Sequence, residues 1–157
     1  MKAPVLRALV FLLVAYGAFS SLFDAALGLS YRLHFPRIAE FFGSFTPGDD
    51  YRRFIPVFDA IPSWALGLSL VAGLLYLASV WPLLRARREL FPIFATAVAV
   101  DLIHYAVLRS IPAYAELMGP GHIHMEYVLY GFLLVGGGIA WWVARPPQHP
   151  PLAALQG

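Results

Sequence analysis

The chain has no cysteine in 157 residues, so it holds no disulfide framework, no thiolate metal site and no cysteine nucleophile. Charge is scarce: Asp, Glu, Lys and Arg make up 13% of the residues, about half of what a soluble domain carries. G-x-S-x-G, the phosphate-cradling Walker loop and H-E-x-x-H are all missing, and no cofactor motif stands in their place. The run Gly136–Gly138 lies in an apolar stretch and is not a phosphate loop. The net charge is only +2, so the pI of about 9.1 rests on a small excess of arginine and points to no nucleic-acid partner.

What is present is apolar. Hydrophobic residues make up 60% of the chain and the mean hydropathy is +0.69, beyond the range of soluble domains. A membrane-spanning helix needs about 20 such residues. Four stretches supply them, from Val5 to Leu29, Pro62 to Leu84, Leu90 to Leu108 and Glu126 to Ala144. The first follows Lys2 and Arg7 as a signal peptide would, but its apolar run is too long for an h-region of about 7–15 residues, which favours an uncleaved span. The sequence thus predicts an all-α protein, an integral membrane four-helix bundle. Residues 1–145 form the membrane domain and 146–157 a loosely ordered Pro-rich tail, RPPQHPPLAALQG from Arg145 onward.

Arg85, Arg87 and Arg88 crowd the five-residue turn RARRE between the second and third spans. Short loops carry the positive-inside rule most reliably, so this turn and both termini are expected in the cytoplasm and the protein in the cell inner membrane. Trp81, Trp141 and Trp142 then fall at the inner interface, with Tyr31, Trp64, Tyr114 and Tyr127 at the outer one. In the long outer loop, Phe35, Ile38, Phe41 and Phe42 recur near helical spacing behind Pro36, and TPGDDYRR reads as a turn. The expected element is a short helix lying on the membrane surface or covering the bundle mouth. Small residues at four-residue steps, Gly17, Ser21 and Ala25, Ala65, Ser69 and Gly73, and Gly136 and Ala140, suit close helix contact, within the bundle or with a partner subunit.

The ionisable residues are placed unevenly. Asp101 sits in LFPIFATAVAVDLIHYAVL, roughly 17 Å from the inner end of its span, with His104 one turn further out on the same face. Asp24, Asp59, His122, His124 and Glu126 all lie near outer span ends, and the inner half has almost none. A carboxylate in hydrocarbon costs at least about 2.5–3.5 kcal/mol and stays where function or a buried partner holds it. Three readings are open. One is a polar network in which Asp101 bonds His104 and a Tyr or Ser of a neighbouring helix. The second is an outward-facing pocket for a small amphipathic ligand, lined by Asp24, Asp59, Trp64, Asp101, His104, His124, Glu126 and Tyr127. The third is a metal held by His122, His124, Glu126, Asp101 and His104, for which no metal motif is present, so none is assigned.

SLFDAALGL, with Asp24, and IPSWALGL, with Pro62 and Trp64, give the chain a layout that resembles the EXPERA-type four-helix membrane proteins, the family of emopamil-binding protein and the sigma-2 receptor. That resemblance implies a membrane-embedded isomerase or a ligand-binding bundle. The family places an acidic residue within span two, where this chain has only ALGLSLVAGLL. The stretch from IPSW through RARRELFPIF is similar to DoxX-like small bacterial membrane proteins, and HMEYVLYGFLL is faintly similar to a VanZ-like His and Tyr pattern. The expected function is therefore ligand binding, or service as an accessory subunit of a membrane complex or homo-oligomer. A membrane-embedded isomerase or small transporter is the alternative.

Overall fold

The structure is a computed structural model that describes residues 3–44, 51–85 and 87–143; the side chains of 3, 4, 6, 42, 43, 51, 120–126 and 140–143 lie outside the described residues. Among the described residues there is no strand. The helices are α1 (Ala3–Arg32), α2 (Pro36–Gly43), α3 (Ile55–Ala60), α4 (Ser63–Leu84), α5 (Leu90–Arg109) and α6 (Pro112–Val143), with a 3-10 turn at Tyr51–Phe54 before α3. The Pro-rich tail falls outside the described residues.

Proline punctuates this order. Pro36 and Pro112 begin α2 and α6, Pro56 lies in the first turn of α3, and Pro92 in that of α5. There the missing N–H would have had no intrahelical partner anyway. Ile61, just before Pro62, is extended at φ −69° and ψ 131°, because the proline ring crowds out the helical conformation of its predecessor. That single clash separates α3 from α4. Helix α1 ends differently. His34 takes the left-handed conformation at φ 59°, and the Phe35 N–H bonds back to Ser30 O at 2.8 Å. This is a Schellman closure with histidine in the position glycine usually fills.

Helix α6 is two helices in one line. Gly119, at φ 68° and ψ 167°, breaks it in a region that glycine tolerates, and Pro120 restarts it. The fourth apolar segment therefore sits on a helix that begins six residues before Glu126, rather than at it.

Three helices are long and apolar enough to cross a membrane: Arg7–Arg32, Ser63–Leu84 and Leu90–Arg109. In α6 the described apolar stretch is Tyr127–Ile139. Only 33%, 44% and 39% of the three spans' apolar windows are buried, so more than half of each window is left partly or fully accessible at the surface. Leu12, Phe19 and Leu74 are more than half exposed, as are Phe132 and Val135 on α6. Water does not tolerate apolar surface of this extent, and lipid does.

Helix α4 lies between α1 and α5, and α6 packs on α5 and α1. The small residues make the α1–α4 contact. Gly17, Ser21, Ala25, Ala65, Ser69 and Gly73 are all buried, and a Cβ at Gly73 would lie 2.6 Å from Leu22 of α1. A row of rings crosses the bundle towards the RARRE end. A Cβ at Gly17 would come within 2.8 Å of the Tyr76 ring, Tyr76 meets Phe94 edge-on at 5.9 Å, and a Cβ at Gly137 would lie 2.7 Å from Phe94. Glycines of α1 and α6 thus seat aromatic rings from α4 and α5.

At the opposite end the structure narrows one expectation and corrects another. Helix α2 packs on α1 through buried Ala39, while Phe35, Ile38 and Phe41 are exposed. Its aromatic face points away from the bundle and does not cap the mouth. The cap is α3, whose Val57 packs with Ile61, Leu66, Tyr105, Ile111 and Tyr114. Tyr114, expected in an interfacial belt, is 5% exposed and belongs to this core.

Candidate functional site

Between the ring row and the α3 core lies a layer of buried polar side chains: Ser21 on α1, Ser69 on α4, and Asp101 and His104 on α5. Three residues put Asp101 and His104 one turn apart on a single face of α5, turned inward.

The layer is wired mostly between helices. Tyr76 Oη of α4 donates to Asp101 Oδ2 at 3.4 Å, and Tyr130 Oη of α6 donates to the same oxygen at 3.2 Å. His104 Nδ1 donates to Ala65 O of α4 at 2.7 Å. Ser69 Oγ donates to Ser21 O at 2.9 Å. The expected bond between Asp101 and His104 does not form. Nδ1 is taken by Ala65, and Nε2 has no hydrogen-bond partner among the described residues. Ala65 O lies 2.7 Å from Nδ1, and Asp101 Oδ2 already accepts from two tyrosines.

The other sequence-predicted residues do not converge on this layer. Asp59 stands on the exposed side of α3, where Tyr31 Oη donates to its Oδ1 at 3.0 Å. Beside it, Arg32 Nε donates to Phe58 O at 2.9 Å, and Nη2 reaches Asp59 O at 3.4 Å and Ile61 O. Asp59 thus belongs to a tether holding α3 on the end of α1. Asp24 is exposed on α1. Trp64 is 59% exposed on the first turn of α4. Tyr127 is 44% exposed on α6, where Arg109 Nη1 donates to its Oη at 2.6 Å and its ring meets Tyr105 at 5.9 Å. The structure therefore brings Asp101 and His104 together and leaves Asp24, Asp59, Trp64 and Tyr127 at exposed positions on α1, α3, α4 and α6.

The side chains of His122, His124 and Glu126 lie outside the described residues. Among the described residues, no group of three His, Asp or Glu side chains could hold a metal ion.

Two site residues were not named from the sequence, Tyr76 and Tyr130. Depth would have found them. Counted from the RARRE-end terminus of each helix, Tyr76 lies roughly 12 Å in, Asp101 roughly 17 Å and Tyr130 roughly 20 Å, offsets that a tyrosine side chain spans.

No family model matches this chain, and no curated protein or solved structure is found to be similar to it. What the fold defines is an all-helical protein with three helices able to cross a membrane. Its most distinctive internal feature is the polar layer at Asp101 and His104.

Proposed function

We propose that the chain is a four-span inner-membrane protein that holds the polar end of a small amphipathic ligand at the Asp101–His104 layer. The spans are α1, α4, α5 and α6 beyond Gly119. The RARRE turn and both termini are cytoplasmic, and α2 rests in the outer interface on Phe35, Ile38 and Phe41. One observation carries the reading: a fully buried imidazole nitrogen without a partner, beside a mid-span carboxylate. Ionisable residues at such depth mark ligand and ion sites, and an unmet buried acceptor is a site awaiting its partner. Support for the orientation comes from Arg85, Arg87 and Arg88, all exposed in the shortest connection between the spans.

Native mass spectrometry of gently solubilised protein tests the function. A small-molecule adduct is expected on the wild type and absent from a folded Asp101→Asn variant. A spectrum showing only lipid on both would overturn ligand binding, and a co-purifying protein in place of the adduct would make the chain an accessory subunit. A reporter fused within Gly48–Tyr51 is expected to report from outside the cytoplasm; a cytoplasmic signal would reverse the topology.

A further inference from the structure

The bond at His104 Nδ1 determines what Nε2 can accept. A carbonyl oxygen only accepts, so Nδ1 carries the ring proton in the bond to Ala65 O. A charged ring in an apolar layer is costly, so the imidazole is neutral and Nε2 presents a lone pair. An acceptor buried without a donor is destabilising, because its desolvation is not repaid. Ser21 Oγ, on a residue 2% exposed, is likewise buried without a partner. Both groups lean on one turn of α4. His104 bonds Ala65, Ser21 accepts from Ser69 through its backbone, and Ala65 and Ser69 share a face one turn apart.

We infer that the ligand is an amphipathic alcohol, whose hydroxyl donates to His104 Nε2 and accepts from Ser21 Oγ. This rests on the ligand-binding reading above and adds the chemical class to it. A hydroxyl is both donor and acceptor and answers both orphan atoms. An ether, ketone or ester oxygen can only accept, and would face Nε2 lone pair to lone pair. A carboxylate or phosphate adds repulsion from Asp101 nearby. An ammonium donates but cannot take the Ser21 proton. The apolar tail suits the surroundings, since the layer is bounded by the ring row on one side and the Ile61–Leu66–Tyr105 core on the other.

The test uses the full-length protein in detergent, with isotope-labelled histidine, titrated with dodecanol and separately with dodecyl methyl ether, which has the same tail and no O–H. By NMR, dodecanol is expected to move the His104 Nε2 resonance to a hydrogen-bonded position while the ether leaves it unmoved; a His104→Gln variant assigns the signal. Ser21→Ala is expected to weaken dodecanol about fivefold to tenfold. If that variant fails to fold, the wild-type titration still decides. Equal shifts from both probes, or an Nε2 already hydrogen-bonded to water in the ligand-free protein, would overturn the alcohol assignment. So would a co-purified ligand with no O–H that is lost in Asp101→Asn, but that result would leave the ligand-binding reading standing. Binding of neither probe, with no adduct in native spectra, would remove both.

Discussion

The two ends of the bundle are held by different forces. Towards the RARRE end, the described residues of α1, α4, α5 and α6 meet chiefly through apolar side chains, with the Tyr76 hydroxyl reaching out of the cluster to Asp101. Val10, Val14, Tyr76, Phe94, Val98 and Leu133 form one buried cluster, with glycines of α1 and α6 seating the rings. At the other end, polar side chains do much of the joining. Arg32 reaches three carbonyls around the end of α3, Tyr31 reaches Asp59, and Arg109 reaches Tyr127. Lipid provides no hydrophobic drive between helices, so in a bilayer the first end depends mainly on close packing. The second lies where side chains pass from apolar to wet surroundings, and there hydrogen bonds fasten short elements that have little surface to bury. The polar layer lies at the border between the two, with a close-packed floor and a tethered roof.

Three measurements would break or sharpen this contrast. The largest effect is expected at the floor. Phe94 is 1% exposed and sits between Tyr76 and Gly137, so Phe94→Ala should destabilise the bundle by about 3–5 kcal/mol in a thermal or denaturant unfolding assay. A loss below about 1 kcal/mol would mean that the floor is not close-packed. A smaller effect is expected at the roof. Arg32→Met should cost about 1–2 kcal/mol and speed amide exchange across α3, leaving amides near Phe94 unchanged. Uniform acceleration in both regions would show that the ends are one cooperative unit. The smallest effect lies at the border. Tyr76→Phe and Tyr130→Phe should each cost about 0.6 kcal/mol, the average for interhelical hydrogen bonds. Because both donate to one oxygen of Asp101, their double-mutant cycle should be non-additive, whereas the cycle of Asp101→Asn with His104→Gln should be close to additive. The reverse result would restore a direct link between Asp101 and His104.

The parts legible in the sequence are those that depend on local composition. The apolar runs marked α1, α4 and α5 to within three residues, Pro36 marked the start of α2, and the spaced small residues marked the α1–α4 contact. Asp101 and His104 stood out because charge is rare in such runs. What was illegible depends on distant partners. Helix α3 spans only Ile55–Ala60 between prolines, too short to show a period, and it exists because α1 and α6 give Val57 and Phe58 a place to pack. The partners of Asp101 are 25 and 29 residues away along the chain, on other helices. Which acceptor His104 would choose was undecidable without knowing that Ala65 O faces α5. The aromatic face of α2 has the right period for either capping or lying flat; only Ala39 on α1 shows which way it turns.

The row from Gly17 through Tyr76 and Phe94 to Gly137 also constrains how this sequence can change over generations. Four positions spread over the chain, one on each of four helices, share a single volume. A methyl group gained at either glycine needs room given up by a ring, so the order in which substitutions arrive decides whether they survive. Alanine at position 17 is tolerable after Tyr76 has become smaller and damaging before. Selection therefore acts on the row as one inherited trait, and Tyr76, which also reaches Asp101, ties the history of the floor to that of the site above it.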